Sequence, residues 1–239
     1  MKVEIIKCLE DNYSYLIIDE KTNNACVVDP GEHEPITNFI KYHNIKLKFI
    51  LNTHHHYDHV GGNKQLKKMY GAKVVGFKND KQRIPDIDIL LEDNQTWKYE
   101  NFESKIMHIP GHTTGHICFY FPKNKIVFTG DTLFSLGCGR IFEGTYEQMY
   151  DSLNKLKKLP KDTKIYCGHE YTLKNSLFCS EHDPYNKNLE KKISKIKLQL
   201  KKELPTIPST IDEELACNIF LRAKNLKDFS KLRDLKDNS

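Results

Sequence analysis

Between residues 3 and 167 the chain repeats short apolar runs, many of them alternating with polar positions and each closed by turn-forming residues. That period of two predicts strands at 3–6, 13–19, 25–29, 49–53, 73–77, 104–108, 116–121, 125–129 and 164–167. The period lengthens to the helical value at 34–43, 62–70 and 146–158, where Met149, Leu153 and Leu156 form one apolar stripe. Residues 78–93 are rich in turn formers and read as a surface excursion.

Past residue 170 the pattern is helical. One helix is predicted at 188–204 and, beyond the proline break at 205–208, a second at 210–221, where Thr210 and Glu213 spell a capping box. Residues 227–239 are polar and basic and read as a tail that frays unless docked. The expected organisation is therefore a sheet-rich α/β domain over 1–170 followed by a small helical domain over 171–239.

Composition narrows the class. With 239 residues, 38% of them hydrophobic, and 12 Phe and 12 Tyr, the chain can bury a substantial core. Its apolar runs span only a few residues each, far short of the roughly 20 that cross a bilayer, so no membrane partner is expected. The N-terminus lacks the apolar core of a signal peptide, and a cytoplasmic location follows as the expectation. Seven cysteines without a CxxC pair fit reduced thiols and argue against a cysteine zinc site. The net charge of +5 gathers in the lysines of 187–202, which read as a solvated helix face. No aromatic-interleaved basic motif accompanies them, so no nucleic-acid partner is expected.

The sharpest chemical signal is Thr53-His54-His55-His56-Tyr57-Asp58-His59, which follows an apolar strand and precedes Gly61-Gly62 and a helix. His54 and His56, two apart at a strand end, point to one side, while His55 points away. Asp58 and His59 fall in the turn, where they can face a second ion about 3.5–4 Å from the first. Three more candidates each follow a predicted strand: His112 after Pro110-Gly111, Asp131 after Thr129-Gly130, and His169 after Cys167-Gly168. Imidazole and carboxylate donors suit zinc, iron or manganese, and one Asp with two oxygens can bridge a pair of ions, the role assigned to Asp131.

A lone histidine is usually a surface or hydrogen-bonded residue, the reading given to His33, His43, His108 and His182. His55 and His116 lie near the ligand pattern but off it, and read as packing or hydrogen-bonding neighbours. No GxSxG elbow, GxxxxGK[ST] loop or GxGxxG turn offers a competing chemistry. A non-catalytic module with structural metals is disfavoured too, because two ions sharing one Asp leave coordination positions open.

At these residues the chain resembles the metallo-β-lactamase superfamily, whose fold is an αββα sandwich with the metal site along one edge. Within it, the chain resembles glyoxalase II, the hydroxyacylglutathione hydrolases, nearly end to end. The pieces that carry this are Met1-Lys2-Val3-Glu4, Asp11-Asn12-Tyr13, Val28-Asp29-Pro30, Thr113-Thr114-Gly115-His116-Ile117-Cys118, Gly130-Asp131-Thr132-Leu133-Phe134, Gly137-Cys138-Gly139-Arg140 and Tyr166-Cys167-Gly168-His169-Glu170-Tyr171.

The resemblance implies one metal on His54, His56 and His112, a second on Asp58, His59 and His169, and Asp131 shared, with zinc expected first and iron or manganese as alternatives. It implies glutathione contacts from Arg140, Phe142, His169, Tyr171, Arg233 and Lys236, with Phe142 standing where some members carry Tyr. The implied reaction is hydrolysis of S-D-lactoylglutathione by a hydroxide held between two metal ions, with Asp58 and Asp131 as the catalytic carboxylates and the protein a monomer. A related alternative, a persulfide dioxygenase using a single iron, is disfavoured by the full second-metal set.

Overall fold

In a computed structural model of the chain, which describes residues 1–238, the polypeptide forms two compact units. One comprises Met1–His108 and Gly115–Asn124; the other comprises Ile109–Thr114 and the chain from Lys125 onward.

The first unit is built on a six-stranded sheet in the order β1 (Lys2–Cys8), β2 (Asn12–Ile18), β3 (Asn24–Val28), β4 (Lys46–Leu51), β5 (Lys73–Phe77) and β6 (Ile87–Leu91). The first three strands are antiparallel, and β3 to β6 run parallel. Helices α1 (Glu34–His43), α2 (Tyr57–Val60) and α3 (Asn63–Tyr70) fall in the connections that parallel pairing requires. β2 and β3 are buried along their whole length. Leu16, Val27, Ile50 and Val74 of the sheet share one core cluster with Ile36 and Ile40 of α1 and Leu66 of α3. A second group, β7 (Thr96–Tyr99), β8 (Phe102–His108) and β9 (Ile117–Phe121), is an antiparallel meander.

Residues 78–93 are not wholly an excursion, as the turn formers suggested. β6 lies within them and pairs with β5 in parallel register, and Asp88 Oδ2 accepts from Val74 N at 2.8 Å. An edge strand is paired on one side only, so its polar positions hide the strand signal. β7 escapes the pattern for the same reason, its side chains alternating between exposed and covered.

In the second unit β10 (Ile126–Gly130) pairs in parallel with β13 (Lys164–Cys167), which pairs antiparallel with β14 (Ser209–Thr210). β11 (Leu133–Phe134) and β12 (Gly137–Cys138) make a tight hairpin. Helix α4 (Tyr146–Leu156) opens on a complete capping box between Thr145 and Gln148 and buries Met149, Leu153 and Leu156, the predicted stripe.

Helices α5 (Thr172–His182), α6 (Lys187–Lys201), α7 (Ile211–Cys217) and α8 (Leu226–Asp237) complete the unit. Only half of the predicted box at α7 forms. Thr210 Oγ1 accepts from Glu213 N at 3.2 Å, while the Glu213 carboxylate turns to Lys192 and Lys195 of α6. The α6 lysines are thus not uniformly solvated, since Lys192 is largely covered and also donates to the wholly buried Glu214 at 2.9 Å. α7 ends earlier than expected because Asn218 leaves helical geometry to donate to Phe134 O and Gly137 O. The basic tail is not frayed over its described residues, 227–238, residue 239 lying outside them: α8 is capped by Asn225, whose Oδ1 accepts from Asp228 N, and docked by buried Phe229 and Arg233.

Candidate metal centre

Four of the predicted ligands lie in the first unit, where β4 ends and α2 begins. β4 ends on the buried apolar run Phe49-Ile50-Leu51 and runs into Asn52, Thr53 and His54, all buried. The His54 ring lies 4.7 Å from that of His56 and 4.2 Å from that of His59, centroid to centroid. Asp58 Oδ2 sits 3.4 Å from His59 Nε2 and accepts from Asn12 Nδ2 at 2.9 Å, while the Asp58 carbonyl accepts from the same amide at 3.1 Å.

A buried carboxylate behind these histidines fixes their orientation. Asp29, at the end of β3 with φ of 48°, accepts from Thr53 N at 2.7 Å and from Thr53 Oγ1 at 2.6 Å. Its Oδ2 is 3.2 Å from His59 Nδ1. Because Thr53 gives its hydroxyl proton to Asp29, its oxygen is left to accept from His54 Nδ1, 3.0 Å away. Both rings then carry the proton on Nδ1 and keep the Nε2 lone pair for an ion, as an outer carboxylate does for metal-binding histidines. One donor atom from each of Asp29, His54 and His59 lies within 4.8 Å of the other two.

The second unit supplies the remaining three. Asp131 Oδ2 stands 3.5 Å from His112 Nε2 and 3.2 Å from His169 Nε2, with all three residues buried. His112 Nδ1 donates to the carbonyl of Arg140 at 2.8 Å, and a carbonyl only accepts, so Nδ1 carries the ring proton and Nε2 is the nitrogen that faces the carboxylate. An oxygen flanked by two imidazole nitrogens is the arrangement that a bridging carboxylate requires, and the donor set fits divalent zinc, iron or manganese.

Gly139 makes this packing possible, since a Cβ there would lie 1.9 Å from the carbonyl oxygen of Asp131. Gly111, at φ of 148°, lets the His112 loop pass against α4, where a Cβ would stand 2.7 Å from that of Met149.

The off-pattern histidines fall where expected. His116 stacks on His54 with centroids 4.6 Å apart. His55 Nδ1 lies 3.5 Å from Oδ2 of Asp80, a wholly buried residue that also accepts from Arg83.

The residues expected to hold the substrate tail all lie in the second unit. Tyr171 stacks on His169 at 4.7 Å with rings nearly parallel, and the exposed ring of Phe142 lies 5.2 Å from that of His112. The Arg140 guanidinium is half exposed. Arg233 is not the surface cation that an ordinary basic tail implies. It is 4% exposed, donates from Nη1 to Cys138 O at 2.8 Å, and lies over the Phe220 ring. Lys236 packs its ammonium 4.8 Å above the Phe178 ring. Burial, reinforced by the Lys174 and Arg233 cations, lowers its pKa from the ordinary lysine value.

Asp29, Thr53, Asn12 and the Arg140 carbonyl were missed as orienting groups. Asp29 had one visible signal, an acid followed by proline directly after a fully apolar strand. All seven cysteines are free and buried, and burial pushes the Cys167 thiol up to about 12.

Comparison with known proteins shows the family. The family model described as "Metallo-beta-lactamase superfamily" matches residues 10–169, and the one described as "Hydroxyacylglutathione hydrolase C-terminus" matches 170–239. A hydroxyacylglutathione hydrolase of Pelagibacter ubique is 66% identical over 238 residues, covering 100% of both chains. A cytoplasmic hydroxyacylglutathione hydrolase of Arabidopsis thaliana is 46% identical, covering 93% of this chain and 88% of its own. Among solved structures, that of ETHE1 from Myxococcus xanthus superposes with a TM-score of 0.75 at 24% identity, covering 98% of this chain and 90% of its own, a likeness of fold.

Proposed function

Since the chain belongs to the metallo-beta-lactamase superfamily and, over its full length, to the hydroxyacylglutathione hydrolases, we infer that it hydrolyses glutathione thioesters of 2-hydroxy acids. S-D-lactoylglutathione is the substrate proposed, giving glutathione and D-lactate in the second step of methylglyoxal detoxification. The observation that carries this reading is Asp131 Oδ2 standing between the Nε2 atoms of His112 and His169.

In this reading His54, His56 and His112 hold one divalent ion, Asp58, His59 and His169 hold the other, and Asp131 is shared. Zinc is the ion proposed, with iron or manganese accepted by the same donors. When bound, such a pair supplies Lewis acidity toward the thioester carbonyl and lowers the pKa of water from 15.7 toward ~7.

The protein's own residues do the rest. Asp58, fixed by Asn12, orients the attacking oxygen. The glutathione thiolate leaves without a protein acid, because a thiol is acidic enough to depart as the anion. Arg140, Phe142, His169, Tyr171, Arg233 and Lys236 form the tail subsite, where guanidinium groups match carboxylate geometry.

The domain division proposed is a metal-binding part over 1–170, which also lends Arg140 and Phe142 to the tail subsite, and a helical substrate-binding part over 171–239, supported by the bounds of the two family models. Among the described residues no helix is long and apolar enough to cross a membrane. A cytoplasmic monomer without a nucleic-acid partner is proposed.

The test is to follow loss of thioester absorbance with S-D-lactoylglutathione in metal-replete protein, after chelation, and in Asp131→Ala. Turnover abolished by both treatments is the expected result. A metal-replete sample without turnover overturns the reading and redirects the search to persulfides, other thioesters and phosphodiesters.

A further inference from the structure

Asp237, near the end of α8, accepts on a single oxygen, Oδ1, from Arg140 Nε at 3.1 Å and from Arg233 Nη2 at 2.9 Å. Its backbone carbonyl also accepts from Arg140 Nη2 at 3.4 Å. Two of the cations assigned to the glutathione tail are therefore already paired with a carboxylate of the protein itself.

The two arginines differ in what they can give up. Arg233 is buried, shares α8 with Asp237 at i, i+4, and is pinned to the Cys138 carbonyl. Its positive charge needs a partner inside the fold, and that need keeps Asp237 in place. Arg140 arrives from the β12 turn, and its side chain is 54% exposed. An incoming carboxylate that takes Arg140 by its Nε–Nη2 edge must therefore displace Asp237 from that edge.

Resting on the reading of Arg140 as part of the glutathione subsite, we propose that Asp237 is a built-in competitor for the carboxylates of the substrate. It weakens binding of substrate and product alike and so sets KM and the rate of glutathione release.

Asp237→Asn keeps the size and one accepting oxygen but removes the charge. Glutathione binding by calorimetry at low salt is expected to tighten roughly fivefold, the weight of one half-exposed ion pair. KM for the thioester falls by a similar factor with kcat unchanged, and the gain shrinks in high salt. Asp234→Asn, which removes an equal charge one turn away where Asp234 accepts from Tyr146 Oη at 2.5 Å, leaves affinity as in the wild type.

Unchanged or weaker glutathione binding in Asp237→Asn, or equal tightening in Asp234→Asn, overturns the proposal. If Asp237→Asn does not fold, Asp237→Glu retains the charge and is expected to bind no more tightly than the wild type; tighter binding again overturns it. A wild-type protein that turns over the thioester while Asp237→Asn leaves KM unmoved sinks this proposal alone. A wild type that neither binds glutathione nor hydrolyses its thioester sinks the functional reading, and this proposal with it.

Discussion

Asp29 Oδ2 lies 3.2 Å from Nδ1 of His59, and the same carboxylate holds both the amide and the hydroxyl of Thr53. One buried acid thus sets the orientation of His59 directly and of His54 through a threonine.

Asp29→Ala is therefore expected to cost roughly 10–100-fold in metal affinity, the usual effect of removing a group that orients a ligand. Competition with a chelator of known affinity measures it. Wild-type affinity in this variant would show that the histidines are held by packing alone.

Gly139→Ala places a methyl group 1.9 Å from the Asp131 carbonyl oxygen, a contact relieved only by moving the chain that carries Asp131. Metal content measured by emission spectroscopy should fall below that of the wild type, and thermal unfolding should register about 1–3 kcal/mol of lost stability from overpacking. An alanine variant with full metal and unchanged stability would mean the loop yields without disturbing the carboxylate.

Lys192→Met leaves Glu214 buried at the heart of a network that also holds Leu136 N at 2.7 Å. Breaking a buried pair by removing one partner costs about 3–5 kcal/mol, to be read from urea denaturation. A loss under about 1 kcal/mol would place the pair among surface bridges of little weight.

The same cluster sets a pH dependence at both ends. Burial alone would lower the Lys192 pKa, but the Glu214 and Glu213 carboxylates outweigh it and raise it above 10.5. That contribution is complete below 10.5 and is lost as pH rises through the raised value. Burial would likewise raise Glu213, but Lys192 and Lys195 outweigh it and bring it below 4.5. Its contribution is complete above 4.5 and is lost as pH falls through the lowered value. Stability curves of the wild type and of Lys192→Met should diverge most between these limits, and parallel curves would refute the assignment.

Burial pushes the Cys167 and Cys179 thiols up to about 12, and the other five cysteines are buried too. The native protein is expected to consume almost no thiol reagent at neutral pH and all seven equivalents once unfolded. Rapid reaction of any native cysteine, followed by its absorbance change, would point to a local opening that exposes it.

The chain's own order determined much of this protein. The candidate His and Asp ligands follow apolar strands, where a period of two and a following turn leave few directions for a side chain, so spacing and residue type were enough to propose His54, His56, Asp58, His59, His112, Asp131 and His169. The Met149, Leu153 and Leu156 stripe of α4 was legible for the same reason, because a single helix face records its own burial.

Only the tertiary structure decided what depends on partners far along the chain. Asp29 meets His59 across 30 positions, the Arg140 carbonyl meets His112 across 28, and Arg233 meets Cys138 across 95. A charged residue in a polar tail carries no periodic mark of burial, so the docking of α8 and the pairing of Asp237 with two arginines were hidden until the chain was folded. Side-chain period reports which face of one element is covered, whereas hydrogen bonds between elements arise only when the fold brings their ends together.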